Sequence, residues 1–380
     1  MMKLGSGFSS SEPLGEIHPQ ALGTGEALLA TNLSGPTSCA CGSESSSANL
    51  REVIRDLITV ADKRAVQRRL SKKLISFATG DVDIIEIAQT RLHLIQSDGT
   101  RPQFRIHPQG MEIDCDTGLI YITTVEIFDE RDKSRRYWGK GRAHLFECSV
   151  EGETIRSAVL RSDDEQEYHP SGMVLVDGTM FLALSVYGPE TSATILRFDV
   201  KDWTYEKLFR IQDHIGLVVP NLDKGEILLG NWGSRHYYCA DLNGNIKSKR
   251  PTPCSDGLEH QDAQLVSANN TILNDTSNGE NVSPNSEETI MLATGVTGGG
   301  RDNFGLDMFD VTNWKMYASQ RWPSSRYLSE GGWPPFTNST FLWIDSYDRV
   351  LALTTDERES KDPRLVLYTL VQRGQTNQLR

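Results

Sequence analysis

The octapeptide HPQGMEID, residues 107–114, returns in near copy as HPSGMVLV, residues 169–176. Weaker echoes open at His214 (HIGLVVP) and His260 (HQDAQLV), and WPPFTNS opens at Trp333. Successive openings lie 62, 45, 46 and 73 residues apart. Self-similarity at about 45 residues in a strand-rich sequence is the spacing of propeller blades, four-stranded sheets that bury their faces by stacking around an axis.

The second unit reads as four strands, HPSGMVLV, TMFLALSV, ATILRFDV and YEKLFRI, and the third as HIGLVVP, EILLGNW, HYYCADL and NIKSKRP. Short runs of Ile, Val, Leu, Tyr and Phe separated by Gly, Asp and Asn turns continue this texture through residues 81–375. The fifth unit supplies only FLWIDS, RVLALTT and RLVLYTL, so DIIEIAQTRLHLI near residue 85 is expected to complete it and close the ring. The fold class is all-β: a propeller of five four-stranded blades, six being the alternative count.

Upstream, NLREVIRDLITVADKRAVQRRLSKKLISFA places Val53, Ile54, Leu57, Ile58, Val66, Leu70 and Leu74 at helical spacing. Residues 50–80 are therefore expected to form a helical extension of one or two amphipathic helices, packed outside the propeller or over one face. Its basic second half is not followed by leucine heptads, so DNA binding of the leucine-zipper kind is not expected. Residues 1–49, rich in Ser, Gly and Ala, read as disordered.

The 380-residue chain carries a net charge of −12 and a pI near 5.2, the wrong sign for a nucleic-acid surface. It contains no apolar run of the roughly 20 residues that span a bilayer, and its start lacks the layout of a signal peptide. The six cysteines (Cys39, Cys41, Cys115, Cys148, Cys239 and Cys254) form no CxxC pair, which suits reduced thiols and a cytoplasmic protein. Sequons at Asn32, Asn269, Asn274, Asn281 and Asn338 are attributed to chance, three of them in one Asn/Ser/Thr-rich stretch.

In a propeller the innermost strands line the axis, so the residues that open them converge on one end of the channel. Here those residues are His107, His169, His214, His260 and Trp333, four of the chain's eight histidines among them. The antiparallel second strands return to the same face and deliver Glu126, Tyr187, Asn231, Trp232 and Thr297 to the rim, with Arg235 just beyond. Arg135, Arg136, Tyr137, Trp138 and Lys140 are placed in an overhanging loop with the makings of a lid, and the 267–288 connection on the opposite face.

Imidazoles converging from a rigid scaffold suit one divalent transition metal (Zn, Mn or Fe) held by His107, His169, His214 and His260, with Asp213 and Asp262 orienting ring nitrogens. The catalytic set is then His169, His214, Tyr187, Glu126 and Arg235. The competing account is a polar plug, histidines bonded to one another and to backbone carbonyls. No nucleophile elbow, phosphate-binding loop or other catalytic motif is present.

The series HPQGMEID, GRAHLFE, YHPSGMVLV, RFDV, DHIGLVV, NWGSRHYY, HQDAQLV and ATGVTG resembles a family of bacterial and fungal propeller-like proteins known only as a domain of unknown function. The resemblance covers about residues 85–370 and implies the propeller and the shared histidine positions, without an activity; the first 80 residues lie outside it.

Three function classes follow: a metal-assisted small-molecule enzyme of hydrolase, lactonase or lyase type; a metal-free cyclase or isomerase, as in natural-product biosynthesis; and a non-catalytic binding propeller. The expected partner is a small-molecule substrate, with no nucleic acid and no membrane.

Overall fold

Central segments such as TMFLALSV and VLALTTD are apolar on both faces, whereas IKSKRP is charged throughout. That gradient runs outward across a blade: inner strands are sandwiched by neighbouring blades, and the last strand faces water. The computed structural model describes residues 44–59, 63–77, 81–130, 139–254, 257–269, 287–300, 302–327, 334–356 and 363–373.

Two helices come first, α1 (Glu44–Thr59) and α2 (Lys63–Phe77), then strand β1 (Val82–Arg91). Blade one is β2 (Arg105–Ile113), β3 (Ile120–Asp129), β4 (Lys140–Cys148) and β5 (Thr154–Leu160). In blade two the inner strand is broken into β6 (Glu167–Pro170) and β7 (Val174–Val176), followed by β8 (Thr179–Val186), β9 (Ala193–Asp199) and β10 (Thr204–Ile211). Blade three is β11 (Ile215–Asn221), β12 (Glu226–Asn231), β13 (His236–Asp241) and β14 (Ile246–Pro251). Blade four is β15 (Glu259–Asn269), β16 (Glu287–Val296), β17 (Asn303–Asp310) and β18 (Met316–Pro323). Blade five is β19 (Thr340–Ile344), β20 (Val350–Asp356) and β21 (Arg364–Gln372), completed by β1.

The ring closes as the sequence implies: β1 pairs antiparallel with β21, from Val82 opposite Gln372 to Arg91 opposite Arg364. The early strand thus becomes the outermost strand of the last blade and ties the two ends of the ring together. All eight residues of β8 except Thr179 are buried, as are all seven of β20, while β14 is almost wholly exposed and carries Lys247, Lys249 and Arg250. Charged outer strands resist edge-to-edge association.

The core is five apolar layers, one in each seam between blades. Helix α1 adds Leu50, Ile54 and Leu57 to the seam of blades five and one, and α2 adds Val66, Leu70, Leu74 and Phe77 to that of blades four and five. These residues recur every three or four positions, so each helix turns one stripe inward. On the outer side of α2, Arg69 and Lys73 pair with Asp348 at 3.1 and 3.0 Å.

The helices cover the channel end remote from the histidines. Helix α1 starts at Glu44, ahead of the residue-50 boundary read from composition. Residues 1–43 and the greater part of the blade-four connection lie outside the described residues. Asn338, one of the sequon asparagines, is buried at 4 % exposure. Among the described residues, no helix is long and apolar enough to cross a membrane.

Candidate functional site

His107 opens β2 half-buried, His169 sits buried in β6, and His214 directly precedes β11. Their rings follow one another around the channel mouth, with centroids 6.2 Å apart from His107 to His169 and 5.9 Å from His169 to His214. Tyr187, just past the end of β8, stacks on His169 at 4.2 Å with ring planes 6° apart. Trp232, just past β12, meets His214 edge-on at 4.6 Å and lies 5.7 Å from Tyr187. Strand returns thus bring Tyr187 and Trp232 to the histidines as the blade layout predicts.

The Nδ1 of His214 lies 2.8 Å from the carbonyl oxygen of Val186. A carbonyl only accepts, so Nδ1 carries a proton and the ring is held in one orientation.

His260 is turned elsewhere. Its Nδ1 accepts from the Tyr237 hydroxyl at 2.5 Å, and its Nε2 donates to Asp307 at 2.9 Å. Cys254 donates to the same Asp307 oxygen at 2.7 Å, and Arg321 pairs with the other oxygen at 2.7 Å. Burial pushes the Asp307 carboxyl up, but His260, Arg321 and Cys254 outweigh it and hold the group at about 2. Burial and the adjacent Asp307 charge push the Cys254 thiol far up. Both ring nitrogens of His260 are therefore engaged in the seam of blades three and four, away from the other three rings.

A metal held at about 2.1 Å by several imidazoles needs donor atoms roughly 3–4 Å apart. Among the described residues, only Cys254, His260 and Asp307 bring three or more His, Cys, Asp or Glu donor atoms within 4.8 Å of one another. That buried trio could hold a metal ion. His107, His169 and His214 are not drawn together in this way, so a preformed ring of four histidine ligands is not the arrangement found.

The other expected residues divide between rim and scaffold. Glu126 is buried in blade one, where its carboxylate accepts from Gln96 Nε2, the Gln103 and Phe104 amides, and His144 Nε2 at 2.9–3.3 Å. Burial alone would raise its pKa, but His144 and the two amides lower it below the ordinary value of 4.5. Arg235 is exposed, its Nε 3.4 Å from the Trp232 carbonyl oxygen. Asn231 is spent on Asp213 and the His236 amide, and Thr297 on a turn with Asn303. Lys140 is exposed at the start of β4. Trp333 and Arg135, Arg136, Tyr137 and Trp138 of the expected lid lie outside the described residues.

Neither flanking aspartate orients an imidazole. Asp213 accepts from the His214 amide, Asn231 and the Tyr238 hydroxyl. Asp262 sits on the axis and accepts four backbone amides: Met111 of blade one, Met173 of blade two, Thr340 of blade five and its neighbour Ala263, at 3.1–3.3 Å. Burial pushes this carboxyl up while the four amides oppose the push. Proximity to His260 in sequence drew attention to Asp262 for the wrong reason: alternation would set residues two apart on one side, but the register of β15 shifts between His260 and Asp262. Tyr237 of β13, Cys254 beyond β14, and Asp307 and Arg321 of blade four gave no signal at all, since they come from separate segments that the fold alone brings to His260.

No curated protein matches the chain in sequence. Among solved structures, the major allergen Mala s 1 of Malassezia sympodialis aligns at 11 % identity over 74 % of this chain and 82 % of that one, with a TM-score of 0.39. A GH43 β-xylosidase/α-arabinofuranosidase from a compost microbial metagenome aligns at 10 % identity over 71 % and 92 %, TM-score 0.41. The GH43_1 enzyme from Xanthomonas citri aligns at 9 % identity over 79 % and 92 %, TM-score 0.41. Likenesses this distant bring no activity to the chain. The model of a family of unknown function, DUF6454, matches residues 85–373, the whole ring from within β1 to the end of β21, and the chain belongs to that family.

Proposed function

We propose that the protein is a small-molecule enzyme working at the histidine-lined mouth of the channel by proton transfer, as an isomerase or cyclase does, of the kind used in natural-product biosynthesis. His214 is the base and His169 its proton-transfer partner, while Tyr187 and Trp232 offer flat faces to an unsaturated substrate. The observation that supports this reading is the gathering of His169, His214, Tyr187 and Trp232 in one aromatic-walled mouth, with His214 held by the Val186 carbonyl 2.8 Å from its Nδ1. Holding the base in one orientation removes motions that a reaction in water has to freeze out.

The test is hydrogen–deuterium exchange at activated C–H bonds. A panel of enolisable ketones is incubated with the full chain in deuterium oxide, and loss of the α-proton is followed by NMR. Catalysed exchange that falls by about 100-fold in both His169→Ala and His214→Ala, with folding intact by circular dichroism, is the expected result. Exchange indifferent to both substitutions, or none across the panel, refutes the assignment and leaves a binding propeller.

A second reading, a metal-assisted hydrolase, lactonase or lyase, is favoured by one observation, the gathering of Cys254, His260 and Asp307. Sulfur, imidazole and carboxylate donors suit zinc above manganese or iron. Metal content by mass spectrometry on untagged protein decides between the two. About one ion per chain, lost in Cys254→Ser but kept in His169→Ala, would put the second reading first.

A further inference from the structure

The opposite mouth of the channel holds a cavity of about 460 Å³, between the helices and the far ends of the inner strands. Leu57, Val66 and Leu70 line it from the helices, and Val174, Leu265 and Trp343 from the blades. Four carboxyl groups, Glu112, Asp114, Asp116 and Asp177, also line it, and among the described residues no lysine, arginine or histidine does. Asp116 and Asp177 lie at the exposed edge; Glu112 is the deep one, 5 % exposed.

Glu112 is an unusual group to bury. Among the described residues, the amides of Leu175 and Ile113 favour its charge, while burial first and the Asp262 carboxylate second push its pKa well above the ordinary value. A buried carboxyl with no cation beside it is costly unless something supplies one. The apolar walls fit a hydrocarbon body, and the all-acidic lining selects one sign of charge.

We propose that this cavity binds a small hydrophobic amine, its ammonium against Glu112 and its apolar body between the helices and Trp343. The site is separate from the histidine mouth and does not depend on the function proposed there. A neutral analogue of the same shape keeps the apolar contacts and loses the ion pair; an anionic one meets four carboxyl groups. The helices act as the roof, so anything that fills the space beneath Leu70 displaces the ligand.

The experiment is isothermal titration calorimetry on the full chain with 4-phenylbutylamine, 4-phenyl-1-butanol and 4-phenylbutyrate. One amine per chain is expected, binding at least about tenfold tighter than the alcohol, with no detectable binding of the carboxylate. Glu112→Gln, which keeps the shape and removes the charge, lowers amine affinity by about tenfold or more and leaves the alcohol within about twofold. Leu70→Trp fills the roof and abolishes both. Equal affinity for amine and alcohol, or an amine affinity unchanged in Glu112→Gln, overturns the proposal. Because Glu112→Gln also removes the repulsion with Asp262, it is expected to fold at least as well as wild type.

Discussion

Asp262 is the point at which the ring is most exposed to a single change. Its two oxygens accept the amides of Met111, Met173 and Thr340 from three other blades, at 3.2, 3.2 and 3.3 Å, besides that of Ala263 at 3.1 Å. Asp262→Ala leaves the three inter-blade donors without an acceptor in a dry interior. At about 1–1.5 kcal/mol for each long bond lost, the deficit comes to about 4 kcal/mol. For a ring of this size, roughly 2 °C per kcal/mol puts the melting temperature about 8 °C below wild type. Asp262→Asn keeps one acceptor oxygen and turns an amino group toward donors, so it is expected to fall between wild type and the alanine variant, about 5 °C down. Calorimetric melts of the three proteins at neutral pH are the assay. An alanine variant melting within about 2 °C of wild type would show that water or strand adjustment satisfies those amides, and the clamp would be discarded.

Two further outcomes can be checked without a substrate. The Glu126 carboxylate is held below its ordinary value of 4.5 in the fold, so its stabilisation is complete above that pH and is lost as pH falls through the folded value. Glu126→Gln is therefore expected to be about 1–2 kcal/mol less stable than wild type at neutral pH, with the gap closing on acidification; a gap that does not narrow refutes the pinned-carboxylate account. Cys148 and Cys254 are buried thiols, the former raised to about 12 by burial. Neither is expected to react with a thiol reagent until the protein unfolds, and mass-spectrometric mapping that finds either one labelled in native protein contradicts the burial.

The propeller was readable because a blade is a local unit. Each inner strand repeats a recognisable phrase, each second strand is an apolar run, and the turns between are Gly, Asp and Asn. Closure by β1 followed from the three strands of the last unit. The site was readable only in part. His107, His169 and His214 reach the same mouth, with Tyr187 and Trp232, since the strand order alone sends them there. His260 occupies the same position in the repeat and yet leaves the group, because Tyr237 and Asp307 offer it two hydrogen bonds inside a seam. Glu126, placed at the rim by the same counting, is instead held by four donors, His144 of blade one and Gln96, Gln103 and Phe104 of the segment that leads into it.

The sequence by itself determined the number of blades, the strand that closes them, the end of the channel where the histidines gather and the presence of helices ahead of the ring. Those properties follow from hydrophobic period, turn chemistry and repeat length, which are written along the chain. Only the tertiary structure decided which histidine turns away, that Asp262 ties four blades together at the axis, and that the helices roof an acidic, apolar cavity. Such contacts join residues more than a hundred positions apart, as Met111 joins Asp262. Their energies depend on burial and on partners that no local pattern encodes.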